Sequence, residues 1–257
     1  MASFGKNLIQ RRLFERVLKR WHATAEGSQK MSLAALRQER HKAHLLRTHL
    51  NRVIQVADER LATPINASRA FAKPHNADWA WRPDLWRAPL SIVGAGAISS
   101  PFKLDDHVSL FHDCPISEMS LRHLRNNSDD FIASHCLRLS VYAFDGSFLS
   151  LVINLPEDCI TGMNKTHIIR LDMRVKTEAP LAIYARLNVR HGPNTEQIVR
   201  QVPLTDSSVT VEFDLAYSDL NEKQVESAWI DLIVEDPNMN EVTFHDLTVS
   251  RRPRAEL

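Results

Sequence analysis

The chain has 257 residues, 44% of them hydrophobic and 25% charged, which is enough apolar side chain for one large or two small domains and too much for a disordered polymer. No stretch approaches the roughly 18 to 20 uninterrupted apolar residues of a membrane span, and arginines stand where a signal peptide carries its apolar run, so a soluble, unexported, cytoplasmic protein is expected. The net charge of +1 conceals an asymmetry, because residues 1–62 hold 13 Lys/Arg against 5 Asp/Glu, a balance of +8, while the remainder holds 19 against 26, a balance of −7.

Residues 1–62 read as a basic amphipathic helical arm or hairpin. From Phe4 to His22, Leu13, Val17 and Trp21 recur at helical spacing with Phe14 and Leu18 beside them. Gly27 interrupts, and Ser32 is placed to cap a second helix running to about Ala62. Leu36, Ala43, Leu50 and Ala57 repeat by seven, but Glu39 and Arg60 break the intermediate line, which favours a hairpin or a docked arm over a long zipper. Arg12, Arg16, Lys19 and Arg20 lie opposite the first apolar line, and Arg37, Arg40, His44 and Arg47 form a second basic stripe. Two readings stay open. Such helices lie on anionic membrane or another polyanion, nucleic acid being the weaker candidate; alternatively the charges are a solvated face on an arm docked to a protein partner, a second copy or the acidic body.

Residues 63–105 form a Pro- and Trp-bearing connector in which Trp79, Trp81 and Trp86 fall within eight residues. A W-x-W in a loop is a stacking platform for a saccharide, or else a buried anchor fastening the connector to a neighbour, the commoner fate of tryptophan. Asp106 to Asp113 reads as a strand, Ser117 to Arg125 as a strand or short helix, and Asn126 to Asp130 as polar loop.

Residues 106–257 predict a mostly β fold, an antiparallel two-sheet sandwich of jelly-roll type. Period-two runs occur at Cys136 to Phe144, Phe148 to Leu155, His167 to Lys176, Leu181 to Arg190, Gln197 to Val202, Val209 to Leu215, Ala228 to Glu235 and Val242 to Ser250. Asp145-Gly146 is the strongest short-range hairpin signal, and Asn221 to Ser227 holds two helical turns at most. Alternation assigns Ile169, Leu171, Met173 and Val175 to the core with Leu181, Ile183, Ala185, Leu187 and Val189. It leaves Arg170, Arg174, Tyr184, Arg186, Asn188 and Arg190 outward, with Tyr142 outward on its own strand. If these strands are neighbours, one face is rich in Arg and Tyr, able to grip anions bidentately and to stack on sugar rings. The competing reading is that Glu212, Asp214 and Asp231 make ordinary cross-strand pairs with them.

Catalytic signatures are missing. His112-Asp113-Cys114 aligns a base, an acid and a nucleophile, yet neighbouring strand residues point to opposite faces, so a hydrolase using Cys114 and His112 is the weakest reading. Cys114, Cys136 and Cys159 are odd in number and lack a CxxC pair, which fits reduced, mostly buried thiols. No residue set calls for a metal or a cofactor.

The segments DWAWRPDLWRAPL, FHDC, FDGSFLSLVINLP, ARLNVRHGPNTEQIVRQVPL, VEFDLAYSDLNEKQVE and SRRPRAEL together resemble a family of uncharacterised alphaproteobacterial proteins of the Rhodobacter and Roseobacter type. The resemblance implies a bacterial cytoplasmic origin and a fold similar to galactose-binding and carbohydrate-binding jelly rolls; a place on the inner membrane face stays open beside it. It transfers no catalytic residue. The expectation is a non-catalytic binding or interaction protein whose sandwich recognises a saccharide, polyanion or protein surface. The alternative is a structural subunit of a phage-like or envelope-associated assembly held by the helices.

Overall fold

Alternation makes the strands. From Ile169 to Val175 every second side chain is buried, with Arg170, Asp172 and Arg174 half-buried between them; a period of two puts the apolar set on one face, where it is removed from water. The computed structural model describes residues 2–61, 73–90, 93–126 and 132–254. The expected helix end at Ala62, the connector's first residues 63–72, loop residues 127–130 and the closing residues 255–257 lie outside the described residues.

The chain divides into two units, Met1–Ala57 and Asp58–Leu257. The first contains α1 (Ala2–Gly27) and all but the last residues of α2 (Leu33–Leu61), joined by a 3-10 turn at Ser28–Lys30. Ser32 caps α2 as expected, its hydroxyl accepting from the Ala35 amide at 3.3 Å. Glu39 draws the helices together, accepting from Lys42 at 2.7 Å and facing Arg20 at 3.9 Å.

The second unit is the expected sandwich of two antiparallel sheets. Its strands are β1 (Trp79–Trp81), β2 (Gly94–Gly96), β3 (Phe102–Lys103), β4 (Val108–His112), β5 (Glu118–Arg125), β6 (His135–Ala143), β7 (Leu149–Asn154), β8 (His167–Thr177), β9 (Ala182–His191), β10 (Asn194–Gln201), β11 (Ser208–Asp214), β12 (Val225–Glu235) and β13 (Asn240–Pro253). Two short helices, α3 (Asp84–Arg87) and α4 (Glu157–Ile160), lie between strands. The seven-stranded sheet runs β11-β8-β13-β6-β5-β2, with β1 on β13, and the six-stranded sheet runs β10-β9-β12-β7-β4-β3. From β6 to β13 successive strands alternate between sheets except at the β9–β10 hairpin. Between the sheets lies one core, including Leu171, Phe213, Phe244 and Val249 from one side and Leu151, Leu187, Ile230 and Leu232 from the other.

One local expectation fails. Asp145-Gly146 closes no hairpin, because β6 pairs with β5 and β13 while β7 pairs with β4 and β12. Its glycine is needed for clearance: a Cβ at Gly146 would strike the Asp113 carboxylate, and it would come within 3.0 Å of both the amide and the thiol of Cys114. Asn221 to Ser227 stays within the two helical turns expected at most, forming a single 3-10 turn, Glu222–Gln224, after which β12 begins at Val225. Ser117 to Arg125 resolves as strand β5.

The Trp-bearing stretch is built into the sandwich, supplying β1, α3, β2 and β3. Trp86 is wholly buried and donates Nε1–H to the Phe244 carbonyl at 3.0 Å. Arg82 grips Asp246 through two bonds of 2.9 Å, and Arg251 grips Asp78 while donating to the carbonyls of Cys159 and Thr161. His123 accepts from the Leu90 amide and donates to the Leu85 carbonyl at 2.7 Å, its ring stacked on His135.

Candidate ligand-binding face

The sequence placed Tyr142, Arg170 and Arg174 beside Tyr184, Arg186, Asn188 and Arg190 on the condition that their strands are neighbours. The condition is not met. Tyr142 on β6 and Arg170 and Arg174 on β8 face outward from the seven-stranded sheet, whereas the β9 set faces outward from the other. The tryptophans of the connector are elsewhere again: Trp79 and Trp81 stack at 6.3 Å between ring centroids and pair with Arg251 and Val249 on the core-facing side of β13. Core packing needs their apolar area, and this leaves neither ring on the Tyr184 face.

The outer face of the six-stranded sheet can be written row by row from its register. One row reads Gln201, Tyr184, Ile233, Ser150 and Phe111; the next Val199, Arg186, Asp231, Val152 and Ser109; the third Gln197, Asn188, Trp229 and Asn154; the fourth Thr195, Arg190 and Ser227. Trp229 escaped the sequence reading, although the alternation of Ala228, Ile230 and Leu232 into the core already set it outward with Asp231. It is the one tryptophan this face carries, two rows from Tyr184.

The centre of this face is polar and covered. Outward positions of a sheet are ordinarily solvated, yet Asn188 is 1% exposed, and Asp231 and Ser150 are also buried. Half-buried Tyr184, Arg186 and Trp229 surround them in the same rows. Asp231 accepts from Arg186 Nε at 2.9 Å and Nη2 at 2.7 Å, and from Asn188 Nδ2 at 3.0 Å. An ionised carboxylate only accepts, so the Asn188 amide must aim its NH2 at Asp231 and turn its oxygen away. That oxygen, Asn188 Oδ1, has no hydrogen-bond partner, and neither has the hydroxyl of Ser150. Arg190, at the rim, reaches Glu226 at 3.2 Å. Both β9 arginines are thereby balanced by carboxylates, and what the face offers is aromatic surface and neutral polar groups.

The charges of the opposite outer face are largely paired with one another, although Arg138 Nε, like Asn188 Oδ1, makes no hydrogen bond. Arg170 holds Asp172, to which Thr210 also donates, and Arg252 reaches Glu212 at 3.2 Å. Arg254 faces Asp214 at 3.5 Å, Arg138 faces Glu241 at 3.2 Å, and the Ser140 hydroxyl donates to Glu241. Tyr142 is exposed, with its hydroxyl 3.2 Å from Ser120. These are the cross-strand pairs of the competing reading: Asp231 takes Arg186, while Glu212 and Asp214 take arginines of β13 and its end.

His112, Asp113 and Cys114 do not converge. The His112 ring is consumed by backbone, Nδ1 accepting from the Cys114 amide at 3.2 Å and Nε2 donating to the Ile98 carbonyl at 2.9 Å. Asp113 accepts from the amides of Ser147 and Phe148 and from the Ser147 hydroxyl, a bond that lowers its pKa. Burial pushes the Cys114 thiol up, which keeps it protonated and a poor nucleophile. Cys136 and Cys159 are buried free thiols, and burial pushes Cys159 up to about 12. Among the described residues no group of three or more His, Cys, Asp or Glu is placed to hold a metal ion. In the helical unit Arg12, Arg16, Lys19, Arg20, Arg37, Arg40 and Arg47 are all exposed.

No curated protein matches the chain. Among solved structures, a family 11 carbohydrate-binding module from Clostridium thermocellum, in complex with a β-1,3-1,4-mixed-linked tetrasaccharide, is 14% identical, with 65% of this chain and 100% of that one covered at a TM-score of 0.40. The CBM22-1 xylan-binding domain of Paenibacillus barcinonensis Xyn10C is 12% identical, covering 61% of this chain and 91% of that one at 0.36. The enzymatically active domain of tailspike protein 4 of bacteriophage CBA120 is 10% identical over 62% of this chain at 0.40, and the match spans 21% of the tailspike chain. One family model, that of a family of unknown function (DUF6478), matches residues 1–257.

Proposed function

We propose, for a chain that belongs to this family of unknown function, a non-catalytic binding role in which the outer face of the six-stranded sheet holds a neutral saccharide. One observation carries the reading: a covered polar centre, Asn188 with Asp231 and Ser150, in which two buried polar atoms have no partner, ringed by Tyr184, Arg186 and Trp229. Buried polar atoms are almost always hydrogen-bonded, and an orphan is worth explaining. A sugar seated on this face meets the half-buried aromatic rings with its C–H surface, and its hydroxyls complete Asn188 Oδ1 and the Ser150 hydroxyl once the covering side chains are displaced. The balance of Arg186 by Asp231 and of Arg190 by Glu226 supports an uncharged ligand over a polyanion.

Titration calorimetry of the full chain against a panel of neutral oligosaccharides tests this. The expected result is binding that Trp229→Ala and Tyr184→Ala each weaken about tenfold or more, and that Tyr142→Ala on the opposite sheet leaves unchanged. Absence of binding across the panel, or binding indifferent to Trp229→Ala, overturns it.

A further inference from the structure

Helix α1 carries a surface that the sandwich reading does not use. Leu13, Phe14, Val17 and Leu18 are 53%, 65%, 48% and 59% exposed, a large apolar content for residues left in water. At a hundred degrees per residue, Leu13, Val17, Trp21, Phe14 and Leu18 fill an arc of about 140°. Arg20 begins about 20° beyond the Leu13 edge, and Arg16, Arg12 and Lys19 follow around the helix. All of them are exposed. Residues 2–27 hold 6 Lys/Arg against 2 Asp/Glu, and the following helix, residues 33–61, holds 6 against 3. Among the described residues no helix is long and apolar enough to cross a membrane.

From the width of the apolar arc, its exposed aromatic and the basic residues at its edge, we infer that α1 is a docking surface for an anionic phospholipid bilayer, lying in the headgroup plane. The physics favours this occupant over the others the charge would admit. Phosphate tracking on a nucleic acid gains from the arginines but gives Phe14 and Leu18 no apolar environment. A two-helix seam buries a narrow a/d stripe, and an arc of about 140° leaves part of itself in water there. A bilayer interface takes the whole arc into the acyl boundary while long Arg and Lys side chains reach back to the phosphates.

Co-flotation of the full chain with phosphatidylcholine vesicles, with and without about one part in three of phosphatidylglycerol, reads this out. Binding is expected only with the anionic lipid, falling as salt is raised. The double substitution Phe14→Asp with Leu18→Asp, at exposed positions that a folded chain tolerates, is expected to reduce it on the order of a hundredfold. Arg12→Ala and Arg16→Ala are each expected to reduce it about fivefold. The inference is overturned by no flotation with anionic vesicles, by flotation unchanged by the double substitution, or by a chain that self-associates through Phe14 and Leu18, by light scattering, without floating. Tight binding to a duplex DNA probe that survives the double substitution, with no flotation, points to nucleic acid and overturns it equally.

Discussion

Two arginine–aspartate pairs, one on each outer face of the sandwich, put the same residue types into opposite situations. Arg170 holds Asp172 on its own strand at 2.8 Å, with side chains 34% and 29% exposed, and Thr210 completes a group that is closed on itself. Arg186 holds Asp231 on the neighbouring strand at 2.7 Å, but the Asp231 side chain is only 6% exposed and is shared with Asn188, whose oxygen stays unpaired. A charged pair on a sheet surface is therefore no sign of a site. What separates the faces is depth: one pair is solvated and complete, the other is covered and leaves a hydrogen bond to be made.

The largest expected effect tests that difference in depth. Asp231→Ala strips the half-buried Arg186 and the buried Asn188 amide of their common acceptor, and it is expected to cost about 2–3 kcal/mol of unfolding free energy. Asp172→Ala, on the solvated face, is expected to cost less than about 1 kcal/mol. Urea denaturation of the two variants measures both, and equal costs would break the comparison.

Strand positions and faces were readable from alternation, because burial imposes a period of two on any strand with one wet side. Ile169 to Val175 and Ile183 to Val189 are buried as read. Sheet membership was not readable: β8 and β9 are consecutive and similarly patterned, yet the turn between them crosses from one sheet to the other. The Arg- and Tyr-rich surface was accordingly split in two. Asp145-Gly146 misled for a related reason, since a glycine kept for clearance against Asp113 and Cys114 is spelled like one kept for a tight turn. Trp229 was readable and was outshone by the denser cluster at Trp79, Trp81 and Trp86, whose rings went to the core side.

A second contrast between the sheets is expected on acidification. His123, His167 and His245, whose pKa values burial lowers, sit on β5, β8 and β13, all strands of the seven-stranded sheet. A histidine whose folded pKa lies below its unfolded value binds fewer protons when folded, so stability is complete above about pH 6.5 and falls as pH drops through the unfolded and then the folded pKa. Protonating His123 also destroys the acceptor that holds the Leu90 amide. Unfolding free energies measured from pH 7.5 down to about pH 5 should decline, and His123→Gln should flatten the decline. A flat profile in the native chain would remove the seven-stranded sheet as the acid-sensitive layer.

The smallest effect is expected one row from the covered centre. Arg190 meets Glu226 at 3.2 Å with the two side chains 58% and 52% exposed, and at such exposure water screens the pair while holding two long side chains costs entropy. Arg190→Ala should change unfolding free energy by no more than about 0.5 kcal/mol, in the same urea titration that reads Asp231→Ala. The two positions lie on neighbouring strands of one face, two rows apart, so the difference between their costs measures how steeply that face passes from solvent to interior. A large cost at Arg190 would mean that the rim is covered as well, leaving no edge by which a ligand reaches Asn188.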